Sequence, residues 1–495
     1  MKIRKMITLI SILGLAIGTA GAIEENQNIN ENPIIVEENQ NTEENQNTEV
    51  KQYIEEKEIV LEKQTSESKS AYTNEIHSVF SLKDCMDVAI ENNPDIRASI
   101  YNEKAYKSKI TQAWANYFPT LSAGVEISRT NNDYSHTKNR MYRDNHNTMG
   151  YVPNVSADML LFDFGKTKAT ADMAKSAYEA SKEDTKENIN SIIYSIKSAY
   201  FNILFAEAQV KVYEDTVKDY QLQLDQAWGF YRLGKKAKLD VVTANYNLGK
   251  AQLNLVKAKN ILEVARAELS KIMGVPEYTN YELSDEMILN SFDITSESAI
   301  KMAMDLRPEL LSAQKSAKAA EMNLRAARRD FAPDLGAFGS YDFGIGSDYN
   351  LSSAQVGASL SYSGFNILRT KKQIEQAKAE YEKSLADLNS TKDAVYYNVK
   401  KAYLDLQTDK ESIVIAKLAL DEAKEQYRQV TGRYKAGVGD AIELKDGENT
   451  YLNARLDFYN AMLNYNLSFA NLEKEVGAPL NFSNELILNI TPEDL

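Results

Sequence analysis

An apolar period of seven residues constrains the fold of this chain more than any other feature. Apolar residues recur at every seventh position over 189–224, and a companion series lies three positions later over 192–227. Beyond Gly234 a further series covers 241–269. Two such positions in every seven form the seam between helices packed side by side. The chain is therefore predicted to form very long antiparallel helices rather than several compact domains.

The same pattern occurs twice. The segment 189–276 aligns without a gap on 392–479, 203 residues later. In each copy a helix ends in glycine with proline two residues on, which is a typical stop signal: Gly274 and Pro276, then Gly477 and Pro479. An earlier block aligns with an offset of 214 and pairs Pro94 with Pro308. The sequence thus predicts an internal duplication, with repeats over 79–280 and 281–480 and a C-terminal tail over 481–495.

Between the helices the apolar period falls to two, which is typical of strands with one apolar and one polar face. Strands are predicted at about 118–130 and 151–164 in the first repeat, and at about 333–344 and 352–364 in the second. Each is long enough to cross a membrane at a tilt. Because four strands cannot close on themselves, several protomers are expected to pool theirs into a β-barrel.

The N-terminal segment is predicted to be a cleaved signal peptide, residues 1–22. Lys2, Arg4 and Lys5 precede an apolar run, and Ala20 and Ala22 give the small-residue pattern of a cleavage site. The alternative is an uncleaved membrane anchor, since 18 uncharged residues just reach spanning length. Residues 23–78 carry 14 Glu against 4 Lys and are rich in Asn and Gln. This composition predicts a disordered acidic tether, with an anionic, cation-binding tail as the alternative.

Composition excludes several function classes. Lys plus Arg is 57 against 71 for Asp plus Glu, a net charge of -14, which argues against nucleic acid as a partner. The single cysteine, Cys85, allows neither an intrachain disulfide nor a cysteine metal cluster. No catalytic motif is present, so we expect neither an enzyme nor a cofactor.

The order helix, strand, strand, long helix, tip, helix, with its duplication, resembles the TolC-type outer-membrane efflux protein family over about 79–480. The motifs that carry the resemblance are Phe-Pro-Thr-Leu at 118, Leu-Phe-Asp-Phe-Gly-Lys at 161, Tyr-Arg-Leu-Gly at 231 and Tyr-Lys-Ala-Gly at 434. The resemblance implies a mainly α fold with a β-barrel contribution. Three protomers would share a 12-stranded barrel in the outer membrane and a helical tunnel in the periplasm.

The hairpin tips are predicted at about 229–239 and 431–442, where glycines interrupt the heptads. Glu443 and Asp446 stand three residues apart, so both face one side of their helix. The resemblance implies that these two acids form rings around a narrow periplasmic entrance, where crowded like charges would attract cations. It also implies that Asp240 and Tyr434 belong to the inter-hairpin network that holds the entrance shut. The alternative is that Glu443 and Asp446 are ordinary acids at a helix N-terminus.

Gly439 departs from the family pattern, which has an arginine in that closing network. The candidate substitutes are Lys235, Lys236, Lys238, Lys435 and Lys445. The resemblance also implies that the tips dock a periplasmic adaptor, through Tyr231, Leu233, Gly234, Ala436 and Gly437.

The expected function is a passive exit channel, coupled through that adaptor to an inner-membrane transporter. The alternatives are a coiled-coil structural protein of the envelope and an enzyme or ligand-binding domain on helical arms. The cargo classes left open are drugs, metals, peptides and proteins.

Overall fold

The structure is a computed structural model that describes residues 79–132, 146–276, 281–284, 287, 290–292, 294–346, 350–362, 366–480 and 482–487. The predicted signal peptide and acidic tether lie outside these residues. The described chain is mainly α-helical with a contribution from strands, in agreement with the predicted fold class.

The first repeat contains β1 (Val79–Phe80), α1 (Leu82–Asn92), α2 (Pro94–Trp114), a 3-10 turn (Ala115–Tyr117), β2 (Thr120–Asn132), β3 (His146–Phe162), α3 (Lys166–Arg232) and α4 (Lys238–Ile272). The second contains β4 (Glu282–Leu283), β5 (Asn290–Phe292), α5 (Ser296–Leu306), α6 (Pro308–Arg329), β6 (Asp334–Gly346), β7 (Asn350–Ser361), α7 (Ile367–Lys435) and α8 (Ala441–Val476). In the segment predicted as a tail, β8 (Phe482–Leu486) pairs antiparallel with β5. Among the described helices, none combines the length and the apolar character needed to cross a membrane.

The two longest helices, α3 with 67 residues and α7 with 69, each extend about 100 Å at 1.5 Å per residue. Their heptad positions face the helices that pack on them. Five of these side chains are fully buried: Ile196, Ile203, Val399, Leu406 and Ile413. One apolar cluster centres on α3 and α4, and another on α7 and α8. The core is therefore a set of long seams rather than one globular centre.

The hairpin tips are shorter than predicted. The residues between α3 and α4 are 233–237, and those between α7 and α8 are 436–440. Helical hydrogen bonding continues to the last turn in both, for example from the Leu233 N–H to the Gly229 carbonyl at 3.2 Å. A single glycine in the left-handed conformation follows each long helix, so residues 229–232 and 431–435 of the predicted tips remain helical.

The four long strands form one antiparallel sheet in the order β2-β3-β6-β7. Register places residues of like character together across it: Ala123 pairs with Val155, Val155 with Tyr341, and Tyr341 with Ala354. One face is consequently apolar across all four strands and lies open in the single chain, with Val356 93% exposed. The other face carries polar residues such as Ser156 and Ser340.

The short helices meet the ends of the hairpins in the same way in both repeats. Gly274, after α4, lies so close to the α1–α2 junction that an added Cβ would be 2.6 Å from the Asn92 carbonyl oxygen. At the α5–α6 junction, a Cβ on Gly477 would be 3.0 Å from Arg307 Cα. Asn93 Nδ2, in the side-chain amide, donates to the Ile272 backbone carbonyl at 2.8 Å, and Arg307 Nη1 donates to the Glu475 backbone carbonyl at 2.9 Å. These partners are the pairs that the offsets of 214 and 203 align, so one contact is made by different residues in the two repeats.

Candidate functional site: the hairpin tips

The two tips share a backbone conformation that fixes where their side chains point. Gly234 has φ 69° and Gly437 has φ 78°, and the N–H of each donates to the carbonyl three residues earlier. This left-handed cap reverses the chain without a Cβ clash. Apart from the adjacent residues, no atom of the described chain lies within 4 Å of the Cβ position at either glycine, so both are open on their outer side.

The second tip has a side-chain helix cap that the first tip lacks, and its loop packs closely against α7. Asp440 caps the N-terminus of α8, and its carboxylate accepts from the backbone N–H groups of Ile442 and Glu443. Gly439 lies against the end of α7, where an added Cβ would be 2.9 Å from the Tyr434 nitrogen and 3.2 Å from Arg433 Cβ. The absence of an arginine at 439 therefore has a local cause, because the chain passes too close to α7 for a side chain.

The two predicted entrance acids differ in their surroundings. Glu443 Oε1 accepts from Arg433 Nη1 at 2.7 Å, across the base of the tip. Asp446 is exposed on the same side of α8 and has no ion-pair partner within the described chain. Because both members of the Glu443–Arg433 pair are partly exposed, it contributes less than about 1 kcal/mol. Of the two predicted entrance acids, Glu443 is thus paired and Asp446 is free within the described chain.

Tyr434 joins the two hairpins. Its side chain is only 4% exposed and packs with Val430 and Leu444 of its own hairpin. From the first hairpin, the Phe230 ring meets it edge-on at 6.4 Å, and Lys236 Nζ lies 3.9 Å from the centre of its ring. A cation over an aromatic face at this distance is attractive. Of the five lysines predicted as substitutes, Lys236 is therefore the one that contacts Tyr434.

The other predicted residues lie at the tips without forming a shared network in the single chain. Asp240 is partly exposed in the first turn of α4, and no hydrogen bond or ion pair of its carboxylate is found within the described chain. Tyr231, Leu233 and Ala436 are exposed. With Gly234 and Gly437 they form an open surface at the hairpin ends.

Arg433 and Phe230 were not among the predicted site residues. Both precede a predicted residue by one position, Tyr434 and Tyr231 respectively, so each faces a different side of its helix. An i to i+10 pairing across a turn leaves no periodic signal in sequence. Within the described residues, no group of three or more His, Cys, Asp and Glu side chains could hold a metal ion.

The sequence pattern of the family described as "Outer membrane efflux protein" matches residues 85–275 and 299–478, one span for each repeat. The chain belongs to the outer membrane efflux protein family. This match confirms the predicted resemblance.

Three relatives illustrate the outer membrane efflux protein family. "Outer membrane protein TolC" of Escherichia coli strain K12 is 24% identical over 428 residues, covering 80% of this chain and 82% of TolC. "Alkaline protease secretion protein AprF" of Pseudomonas aeruginosa is 23% identical over 407 residues, covering 80% of this chain and 84% of AprF. The solved structure of the Campylobacter jejuni CmeC outer membrane channel superimposes with a TM-score of 0.72 at 19% identity, covering 82% of this chain and 87% of CmeC. Outer membrane efflux proteins of this fold thus include proteins named for secretion and others named as channels.

Replacing Lys236 with Met should loosen the tips. The substitution removes the cation over Tyr434, an interaction of about 0.5–2 kcal/mol. Amide hydrogen exchange of residues 228–240 and 430–442 should become several-fold faster. Lys235→Met is the matched control, since Lys235 is the exposed neighbour and makes no such contact. Equal exchange in the two variants would show that Lys236 does not hold the hairpins together.

Proposed function

We propose that three copies of this chain form an outer-membrane exit channel for efflux or secretion. Their strands close into one sheet of twelve, and their helices enclose a tunnel in the periplasm. An inner-membrane transporter supplies the cargo through an adaptor that docks on the hairpin tips. The channel is passive, and its closing element is the tip of the second hairpin.

The sheet supports assembly of several copies. Within the described residues, β2 and β7 each pair on one side only, with β3 and β6 respectively. Unpaired strand edges of 13 and 12 residues are unusual in a fully assembled protein because they expose a row of backbone hydrogen-bond donors and acceptors. Pairing β2 of one copy with β7 of the next satisfies both edges, and lipid covers the apolar face.

The helices support assembly in the same way. A second heptad stripe on α4 is exposed in the single chain, with Leu239, Tyr246 and Leu253 all more than half exposed. On α7 the exposed residues Tyr397, Leu404 and Leu418 lie in the same seven-residue register, with Glu411 at the position between the last two. Stripes of this kind need a partner helix. Contact between such stripes on neighbouring copies encloses the tunnel.

The tip acids carry the gating part of the proposal. Three copies bring six carboxylates, from Glu443 and Asp446, towards one axis at the end of the tunnel. Like charges concentrated there attract cations and repel anions. The single observation that carries this assignment is that Asp446 is exposed and unpaired on the same side of α8 as Glu443.

The test is multivalent-cation block of the channel in planar bilayers. Replacing Glu443 and Asp446 together with Ala removes six carboxylates and leaves three Arg433 side chains without partners. We expect the block constant to weaken by about tenfold or more. Asp457→Ala, which removes an exposed acid of α8 far from the tip, should leave block unchanged. Unchanged block in the double variant would exclude the acids from the constriction, and a monomer soluble without detergent would contradict the channel itself.

A further inference from the structure

A buried polar layer lies just behind the tip acids, between the first and second hairpins. At its centre is Glu448 of α8, five residues after Glu443 and only 4% exposed. Glu448 Oε2 accepts from Gln223 Nε2 of α3 at 2.9 Å. Within the described chain, Oε1 has no hydrogen-bond partner. The second hairpin is therefore joined to α3 through a carboxyl group with one satisfied oxygen.

The titratable groups that face Glu448 come from two other helices. Asp219 and Tyr220 belong to α3, and Tyr427 belongs to α7. The Tyr427 hydroxyl lies 3.4 Å from Asp219 Oδ2, and the Tyr427 ring stacks on Tyr451 of α8 at 5.5 Å. None of these groups supplies a positive charge.

The nearby cationic side chains interact with carboxylates other than Glu448. Arg455 Nη2 lies 3.4 Å from Asp215 Oδ2. The charges of Arg455 and Lys435 both oppose the rise in the pKa of Asp219. Within the described residues, Glu448 has no ion-pair partner. A buried carboxylate without a cation is costly, whereas the neutral acid is tolerated and gains an O–H donor.

The acid–base behaviour follows from this placement. Burial is the main reason that the pKa of Glu448 rises from 4.5 to about 7, and the charge of Asp219 adds to the rise, against the hydrogen bonds from Gln223 and Tyr220. Burial also raises the pKa of Asp219, so the two groups respond to pH in the same direction.

We propose that Glu448 is a positioning residue for the gate: as the neutral acid it holds the second hairpin against α3, and as the carboxylate it releases it. The inference rests on the proposed channel function, which supplies the gate. It concerns a residue two positions beyond Asp446, the second of the predicted entrance acids, and needs no charge ring.

The direction of the pH effect is fixed by linkage. The packed hairpin binds the proton more tightly than a released one, in which Glu448 meets water and has an ordinary pKa. The contribution to packing is therefore complete below about pH 4.5 and is lost as pH rises through about 7. Each unit of difference between the two pKa values changes the ratio of packed to released hairpins about tenfold per chain.

The experiment compares wild type, Glu448→Gln, Asp219→Asn and the control Asp457→Asn. Glutamine has the shape of the neutral acid but cannot ionise. In planar bilayers, the open probability of wild type should rise about tenfold or more from about pH 5 to about pH 8. Glu448→Gln should stay at the low acid value throughout, and Asp457→Asn should follow wild type. Asp219→Asn should keep a pH response that is shifted to lower pH, because the neighbouring charge is gone.

A second measurement separates this inference from the channel function. Amide hydrogen exchange of residues 442–455, corrected for intrinsic rates, should rise with pH in wild type and remain slow in Glu448→Gln. Infrared spectra should show a protonated carboxyl band that titrates near neutral pH and is absent from Glu448→Gln. If wild type does not conduct but both signals are present, the channel proposal fails and the Glu448 contact stands. A wild-type pH response retained in Glu448→Gln overturns the inference.

Discussion

Replacing Gly274 with Val is expected to destabilise the protein by about 4 kcal/mol or more. Gly274 has φ 78°, a conformation that costs a β-branched residue about 1–3 kcal/mol. Its Cβ would also lie 2.6 Å from the Asn92 carbonyl oxygen and 2.7 Å from the Asn92 carbonyl carbon. Because backbone atoms cannot swing aside as a long side chain can, α4 must separate from the α1–α2 junction. Guanidinium unfolding followed by circular dichroism would measure the loss.

Gly249→Ala is the control for this change, since Gly249 lies within α4 and, apart from the backbone of α4 itself, no atom of the described chain is within 4 Å of its Cβ position. Alanine should stabilise the helix there, by up to about 1 kcal/mol. If Gly274→Val were as stable as wild type, α4 could not end against the α1–α2 junction as described.

Replacing Arg307 with Met should destabilise the protein by about 3–5 kcal/mol, because it removes a buried cation and leaves the largely buried Glu475 carboxylate without its ion-pair partner. Arg307 is only 4% exposed, forms ion pairs with Glu475 and Glu309, and also donates to the Glu475 carbonyl. Burial already raises the pKa of Glu187, and Arg307 opposes that rise. Melting temperatures at several pH values would measure the effect.

The loss should be smaller at about pH 5 than at about pH 8, since acids left unpaired in the variant can then be neutralised by protonation. Arg325→Met in α6 is the control: its pair with Glu321 is more exposed, so stability should change by less than about 1 kcal/mol. A deficit that did not depend on pH would mean that lost packing, rather than unpaired carboxylates, is responsible.

The two repeats show which features of the fold local sequence patterns could predict. Heptads, glycine stops and alternating strands are local patterns, and each predicts which side of an element is buried. The alignment of Gly274 with Gly477 gave the helix ends directly. The alignment could not predict how the short helices contact the end of the hairpin in each repeat. That contact is made by the side-chain amide of Asn93 in the first repeat and by the guanidinium of Arg307 in the second.

The candidate site likewise contains residues that the sequence predicted and contacts that only the structure shows. Glu443, Asp446 and Tyr434 were predicted because the family resemblance supplied their positions, and their roles remain proposals. The Arg433–Glu443 pair, the Lys236 contact with Tyr434 and the burial of Glu448 depend on which turns of separate hairpins meet. Glu448 and Asp457 are both acids of one helix, and no neighbouring residue in sequence distinguishes the buried one from the exposed one.

By itself the sequence determined the duplicated architecture, the long helical seams, the strand faces and the family, because each depends on periodicity or on order along one chain. Only the tertiary structure decided which charges are paired at the tips, which acid is buried behind them and why position 439 is glycine. These features depend on distances of 3 to 4 Å between residues as many as 225 positions apart, and such distances are set by how the hairpins pack.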